Sequence, residues 1–304
     1  MLKFAALTMF LATPQEFTPA QAPISADVQE LIAARSSMTP EEWVARFDAL
    51  GEAGDYSAWQ LLGELYSQGD GDIARNMPLA CEYFERTGAN RGDALHSLAS
   101  CYFQGQGRAQ DYVLARDLYR QAIASGHVTS LCGLGTMLVR GQGGEVAAEE
   151  GVALCRQATE LGDKNAKTDL GIFLLTGEGV ERDPIQARLW LEEAGGEGQA
   201  NAAFLLGQIY ARGDSVTANA DQSEEWFATA YENGRGDAAW RVATSLAARG
   251  LSTDGDEMSI NPALMSESQA WAEVAATMDP DPQVRAEAAE FARSVAALIA
   301  SVED

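Results

Sequence analysis

Cysteine, histidine and clustered carboxylates carry the most specific chemistry a sequence can show, and here they are few. Of 304 residues, four are cysteine and two are histidine. Cys81, Cys101, Cys132 and Cys155 allow three pairings, and no Cys-x2-Cys spacing occurs, so a zinc site is not expected. His96 and His127 have no partner at ligand or catalytic spacing and read as surface or capping residues. The glycines of Gly105-Gln106-Gly107 and Gly177-Glu178-Gly179 are followed by no P-loop lysine. Asp254, Asp256 and Glu257 are close enough to suggest calcium but lack the calcium-loop spacing, and read as a solvated acidic loop. No catalytic residue, metal or cofactor is therefore expected.

Charge narrows the partners. The chain has 45 acidic and 21 basic side chains, a formal charge of −24. Nucleic acid and anionic membrane both demand Lys and Arg, so neither is an expected partner. Hydrophobic residues make up 46%, enough for a core and too many for a disordered chain. No apolar run reaches the ~18–20 residues that span a bilayer. At the N-terminus, Lys3, an apolar stretch Phe4–Ala12 and a polar segment to Ala22 follow the order of a secretory signal. Cleavage falls after Ala22 or after Ala20, with Pro23 opposing the first. A signal places the mature protein in the periplasm or outside the cell, where disulfides form. The alternative is an ordinary N-terminal helix in a cytoplasmic protein.

The elements that would position any site come from a repeat. Ala58, Ala94, Ser130, Ala166, Ala202 and Ala238 open six segments at intervals of 36 residues. The fifth and sixth positions read Leu62-Gly63, Leu98-Ala99, Leu134-Gly135, Leu170-Gly171, Leu206-Gly207 and Val242-Ala243; the ninth is Tyr66, Tyr102, Leu138, Leu174, Tyr210 or Leu246. Apolar residues at positions 1, 2, 5, 8 and 9 have a helical period, not a strand's alternation. Ser57, Asp93, Thr129, Asn165, Asn201 and Asp237 are expected as N-caps. Each first helix should stop at Gly69, Gly105, Gly141, Gly177, Gly213 or Gly250, with Gly71, Gly107, Gly143 and Gly179 in the turn and Ser215 breaking that series. Asn76, Asp111, Asp183 and Asn219 should cap a second helix, which carries a small residue and then bulky ones: Ala80 with Tyr83-Phe84, Ala115 with Leu118-Tyr119, Ala187 with Trp190-Leu191, and Trp226-Phe227. Glycine inside a helix costs about 1 kcal/mol, so its recurrence at position 6 implies a packing reason.

This places Cys81 early on one second helix and Cys101 late on the next first helix, level with each other. A Cys81–Cys101 disulfide is geometrically reasonable. Cys132 and Cys155 are offset by about one turn and fit less well. The alternative for all four is buried thiols acting as small apolar residues.

The frame resembles the Sel1-like repeat family, a relative of tetratricopeptide repeats. Ala166, Leu170-Gly171, Leu174, Gly177, Gly179, Asp183, Ala187, Trp190, Ala194 and Gly198 match it in order, as nearly do 94–126 and 202–234. Leu138 and Leu174 depart from the usual tyrosine and Cys155 from an aromatic. The resemblance implies an all-α, right-handed α-solenoid of antiparallel helix pairs. It also implies use as an adaptor, and interhelix disulfides of the kind found in secreted cysteine-rich relatives. Domains follow: a signal segment 1–22; a linker and capping helix 23–57, with Trp43 and Phe47; repeats 58–250; and 251–304, holding an insertion, a helix with Trp271, and a capping helix at 283–302 with Phe291, Val295 and Leu298 on one side.

Positions 3, 7 and 10 of the first helices point away from the core. They are polar at first, Gln60, Glu64 and Ser67, and later apolar: Phe103, Val139, Ile172, Leu175, Phe204 and Trp240. Either repeat curvature buries these, or they form an apolar stripe in an acidic groove that receives an extended or helical segment of a protein partner. The expected function is a non-enzymatic scaffold or regulator. The alternatives are an enzyme using scattered residues such as Glu64, His96 and Asp169, or a purely structural envelope protein.

Overall fold

The computed structural model describes residues 24–254 and 257–303. The expected signal segment lies outside the described residues, as does Asp256. Fifteen α-helices follow one another among them, with one two-stranded hairpin between the thirteenth and fourteenth. The chain forms two compact units, one ending at Leu161 and one beginning at Gly162. The first holds α1 (Ala26–Ala33), α2 (Pro40–Glu52), α3 (Tyr56–Gln68), α4 (Met77–Thr87), α5 (Gly92–Gln104), α6 (Tyr112–Ala124), α7 (Thr129–Arg140) and α8 (Ala148–Glu160). The second holds α9 (Lys164–Thr176), α10 (Pro184–Gly196), α11 (Ala200–Arg212), α12 (Ala220–Glu232), α13 (Ala238–Gly250), β1 (Leu251–Asp254), β2 (Glu257–Ile260), α14 (Pro262–Met278) and α15 (Pro282–Glu303).

The repeat frame becomes the core. Ala58, Ala94, Ser130, Ala166, Ala202 and Ala238 are fully buried, and the fifth-position residues Leu62 through Val242 are buried with them. Each first helix packs on the second helix that follows, α3 on α4, α5 on α6, α7 on α8, and so on through α13 on α14. This is the all-α, helix-pair solenoid class that the spacing predicts. The recurrent glycine has its packing reason: a Cβ on Gly63 would lie 2.4 Å from the Phe84 ring, and one on Gly207 2.7 Å from Phe227. Burying such a ring is worth about 1.5–3 kcal/mol, more than the glycine costs.

The ends of the helices hold and shift. Asn76, Asp111, Asp183 and Asn219 each cap a second helix and accept from an amide of its first turn. The first helices mostly begin earlier than expected. Asp55 and Asp163 are the caps, accepting from the amides of Ser57 and Asn165, so Ser57 and Asn165 lie inside the first turn. Asp93 and Asn201 are likewise inside, Thr129 is the first helical residue, and Asp237 alone of the six holds the cap position, where its side chain makes no capping hydrogen bond. A polar side chain is also useful one or two residues further in, where it meets free amides and the positive helix end, so composition alone misplaces the boundary. Gly69, Gly105, Gly141, Gly177 and Gly213 end their helices, but Gly250 is the last residue of α13 and passes directly into β1. Ser215 is the one described non-glycine with positive φ, at 69°, in the turn where its counterparts are glycine.

The terminal pieces close the stack. Trp43 and Phe47 on α2 are buried, with Val28 and Leu31 of α1, a helix in the stretch expected as linker. At the other end Ala288, Ala292 and Val295 of α15 are buried, while Phe291 and Leu298 are partly so. The insertion is not a loop: Leu251–Asp254 pairs antiparallel with Glu257–Ile260, and Asn261 then caps α14.

Candidate functional site

Stacking fixes the inward positions of every repeat and leaves positions 3, 7 and 10 of the first helices free to vary, so the site is built from these. In the first unit α3 contributes Gln60, Glu64 and Ser67, and α5 contributes His96, Ser100 and Phe103. Gln60 is 4% exposed, and its Nε2 donates to Glu64 Oε1 at 2.8 Å. Beside them lies a cleft of about 410 Å³ whose walls include Glu64, Arg75, His96, Ser97 and Ser100. Arg75 is tied at its edge, donating to the Ser67 carbonyl and to Gln106 Oε1. Gln110 and Arg182 reach back in the same way to the Phe103 and Leu175 carbonyls, answering the carbonyls left free at a helix C-terminus.

The expected apolar stripe is uneven. Phe103 and Ile172 are half-buried, and Leu175 is half-buried against the cluster around Leu191. Val139 is buried beside Gly151. Phe204 is 6% exposed, edge-on to Phe227 at 5.2 Å and capped by the Arg235 guanidinium 3.7 Å above its ring. Trp240 is half-buried and meets Phe291 of α15 at 5.3 Å.

The histidines depart from the surface role expected of them. Their rings lie 4.7 Å apart, and both Nδ1 atoms face the buried Ser130 Oγ, at 3.0 Å from His96 and 2.9 Å from His127. One hydroxyl hydrogen serves only one acceptor, so at least one of the two imidazoles carries its proton on Nδ1 and donates to Ser130 Oγ. Burial first, and then the neighbouring His127, lower the His96 pKa to about 3, with Asp93 opposing. The signal was present in the sequence: Ser130 stands where every other repeat has alanine. Glu64 and His96 line one cleft, whereas Asp169 belongs to the second unit.

Both cysteine pairs are disulfides. Cys81–Cys101 has Cα atoms 6.2 Å apart, as its placement on neighbouring helices suggests. Cys132–Cys155, judged a poor fit from sequence, is also formed, with Cα atoms 4.1 Å apart. The correction has a packing cause. Where other repeats place a bulky residue over position 6, this one has Cys155, and where they place alanine or serine it has Gly151. A Cβ on Gly135 would stand 2.5 Å from the Gly151 carbonyl oxygen, and one on Gly151 2.4 Å from that of Gly135. With both side chains reduced to hydrogen, α7 and α8 approach closely enough to bring the sulfurs together. Among the described residues no group of three His, Cys, Asp or Glu is placed to hold a metal, and no helix is long and apolar enough to cross a membrane. Of the acidic trio in the insertion, the side chains lie outside the described residues.

Comparison with known proteins adds the following. A family model described as Sel1 repeat matches residues 60–90, 92–127, 128–163, 165–198 and 200–234. Among solved structures the chain is similar to a Sel1 repeat protein from Oxalobacter formigenes, at 25% identity and TM-score 0.61, over 85% of this chain and 100% of that one. It is also similar to c5321, a protective antigen of uropathogenic Escherichia coli with an SLR fold, at 24% identity and TM-score 0.48, over 84% and 56% of the two chains. The immunity protein Pa5087 from Pseudomonas aeruginosa gives 20% identity and TM-score 0.49, over 79% and 81%. No curated protein matches the sequence significantly.

Proposed function

Because the chain belongs to the Sel1 repeat family, we propose that it is a non-enzymatic scaffold or regulator that takes a segment of a protein partner on the outward face of its first helices. Sel1 repeats are in general scaffolds for protein interaction and not enzymes. The observation that carries the proposal is the contrast between what repeats and what does not. The buried frame recurs from repeat to repeat, while the seventh and tenth positions, which keep some exposure here, change from Glu64 and Ser67 to Ile172 and Leu175. Stacking has no use for that variation, and recognition does. The acidic surface favours a partner with basic flanks and disfavours nucleic acid. Two disulfides support an oxidising compartment, the periplasm or the cell exterior.

Ile172 is half-buried, which leaves part of its side chain on the face and makes it a probe of that face. Phe204 is unsuitable, since a charge there would disrupt the contact with Phe227. Wild type and Ile172→Glu, both checked for helical circular dichroism, would be used to capture proteins from an envelope fraction of the native host. A protein held by the wild type and lost from the variant supports the reading and identifies the partner. The same proteins from both, also with Leu175→Glu added, would overturn the face as the binding site.

A further inference from the structure

In the second unit a cleft of about 380 Å³ is flanked by α12 and α14 and floored by α13. Its floor is apolar: Val242 and Leu246 are buried beneath it, and Trp271 is half-buried at its side, the ring set T-shaped against Tyr231. Its walls are acidic, with Asp221, Glu224, Glu225 and Glu267 setting four carboxylates against one guanidinium, that of Arg249. Arg249 is already committed, since its two terminal nitrogens are ion-paired with Glu224 and Asp221. Glu225 and Glu267 stand exposed on different helices and make no ion pair among the described residues.

The repeat frame does not require these charges. Arg249 stands where the five preceding first helices end at Gly69, Gly105, Gly141, Gly177 and Gly213, and Glu224 stands where α6 and α10 carry Arg116 and Arg188. Arg249 also shows within the chain what this wall takes, a guanidinium forked between two carboxylates of α12. An apolar floor under an acidic rim suits a cation with an aliphatic stem, which buries the stem and keeps the charge at the rim. Guanidinium fits better than ammonium: it is planar, stacks on an indole and divides its donors between two carboxylates.

We propose that this cleft receives an arginine side chain of a protein partner, with its stem against Trp271 and the floor and its guanidinium on Glu225 and Glu267. The site lies on other helices than Ile172 and stands whether or not the face of α9 binds.

The full chain would be titrated calorimetrically, at fixed ionic strength, with the blocked peptide acetyl-Ala-Leu-Arg-Leu-Ala-amide. Two further peptides replace its arginine by citrulline, which keeps the shape and loses the charge, or by lysine. Saturable binding of the arginine peptide is expected, about tenfold tighter than the citrulline peptide and tighter than the lysine peptide. Glu225→Gln combined with Glu267→Gln should weaken it about tenfold, and because both residues are exposed the helical circular dichroism should be unchanged. Glu30→Gln combined with Glu160→Gln removes the same charge from exposed positions of the first unit and should leave the affinity as it was. Equal losses in the two double variants would mean attraction by overall charge alone and would overturn the proposal. So would no binding of the arginine peptide, or equal binding of the citrulline or the lysine peptide.

Discussion

At the residue scale the histidine pair makes the sharpest prediction. His96 has its pKa lowered to about 3 in the folded protein, against about 6.5 in an unfolded chain. A base whose folded pKa is depressed binds fewer protons folded than unfolded, so stability falls as pH drops from about 6.5 toward 3. The slope from this one group cannot exceed about 1.4 kcal/mol per pH unit, and partial solvation of the ring makes it smaller. His96→Gln keeps a polar contact to Ser130 and removes the titration. Chemical denaturation between pH 7 and 5 should show wild type losing stability faster than the variant. Parallel curves would mean that the ring is better hydrated than its contacts with Tyr119 and His127 imply.

At the scale of elements, glycines that look alike in sequence should behave in opposite ways. Gly151→Ala sets a methyl group 2.4 Å from the backbone carbonyl of Gly135, and backbone cannot swing aside. Such overpacking costs about 1–3 kcal/mol. It would also push α8 from α7, where the Cys132–Cys155 bridge holds the Cα atoms 4.1 Å apart. Gly196→Ala, at the end of α10, meets nothing within 4 Å and should gain about 0.5–1 kcal/mol by restricting the unfolded chain. Denaturant midpoints of the two oxidised variants test the pair. The 36-residue spacing made the helices, their pairing and the second-helix caps legible, because each repeat must bury the same stripe. It did not make the α7–α8 approach legible, since helix separation depends on the summed size of facing side chains and not on their period.

For the whole molecule, the distribution of cross-links separates the two units. Both disulfides lie in the first, closing loops of 20 and 23 residues, and the described residues of the second contain none. Chain-entropy reasoning assigns each about 3 kcal/mol. Reduction at neutral pH should therefore raise amide hydrogen exchange in α3 through α8 while leaving α9 through α13 near their oxidised rates. Equal loss of protection in both would show that they unfold as one cooperative body. The same unevenness appears on the surface: the free positions of α3 are polar, those of α9 apolar, so one scaffold presents different chemistry along its length.

Sequence by itself determined the fold class, the helix pairs and most stop signals, and made one of the two disulfides geometrically reasonable without deciding it. These follow from local rules, since a buried face must repeat with the helix period and a terminus must cap its free amides. Tertiary structure decided which outward apolar side chains remain open. Phe204 is consumed by Phe227 and Arg235, whereas Ile172 stays half-exposed, although both occupy free positions of a first helix. It also joined His96 to His127 through Ser130, and left Gln60 Oε1 without a partner. These outcomes depend on which atoms of distant segments meet, a matter of volume and direction that residue spacing along one chain does not encode.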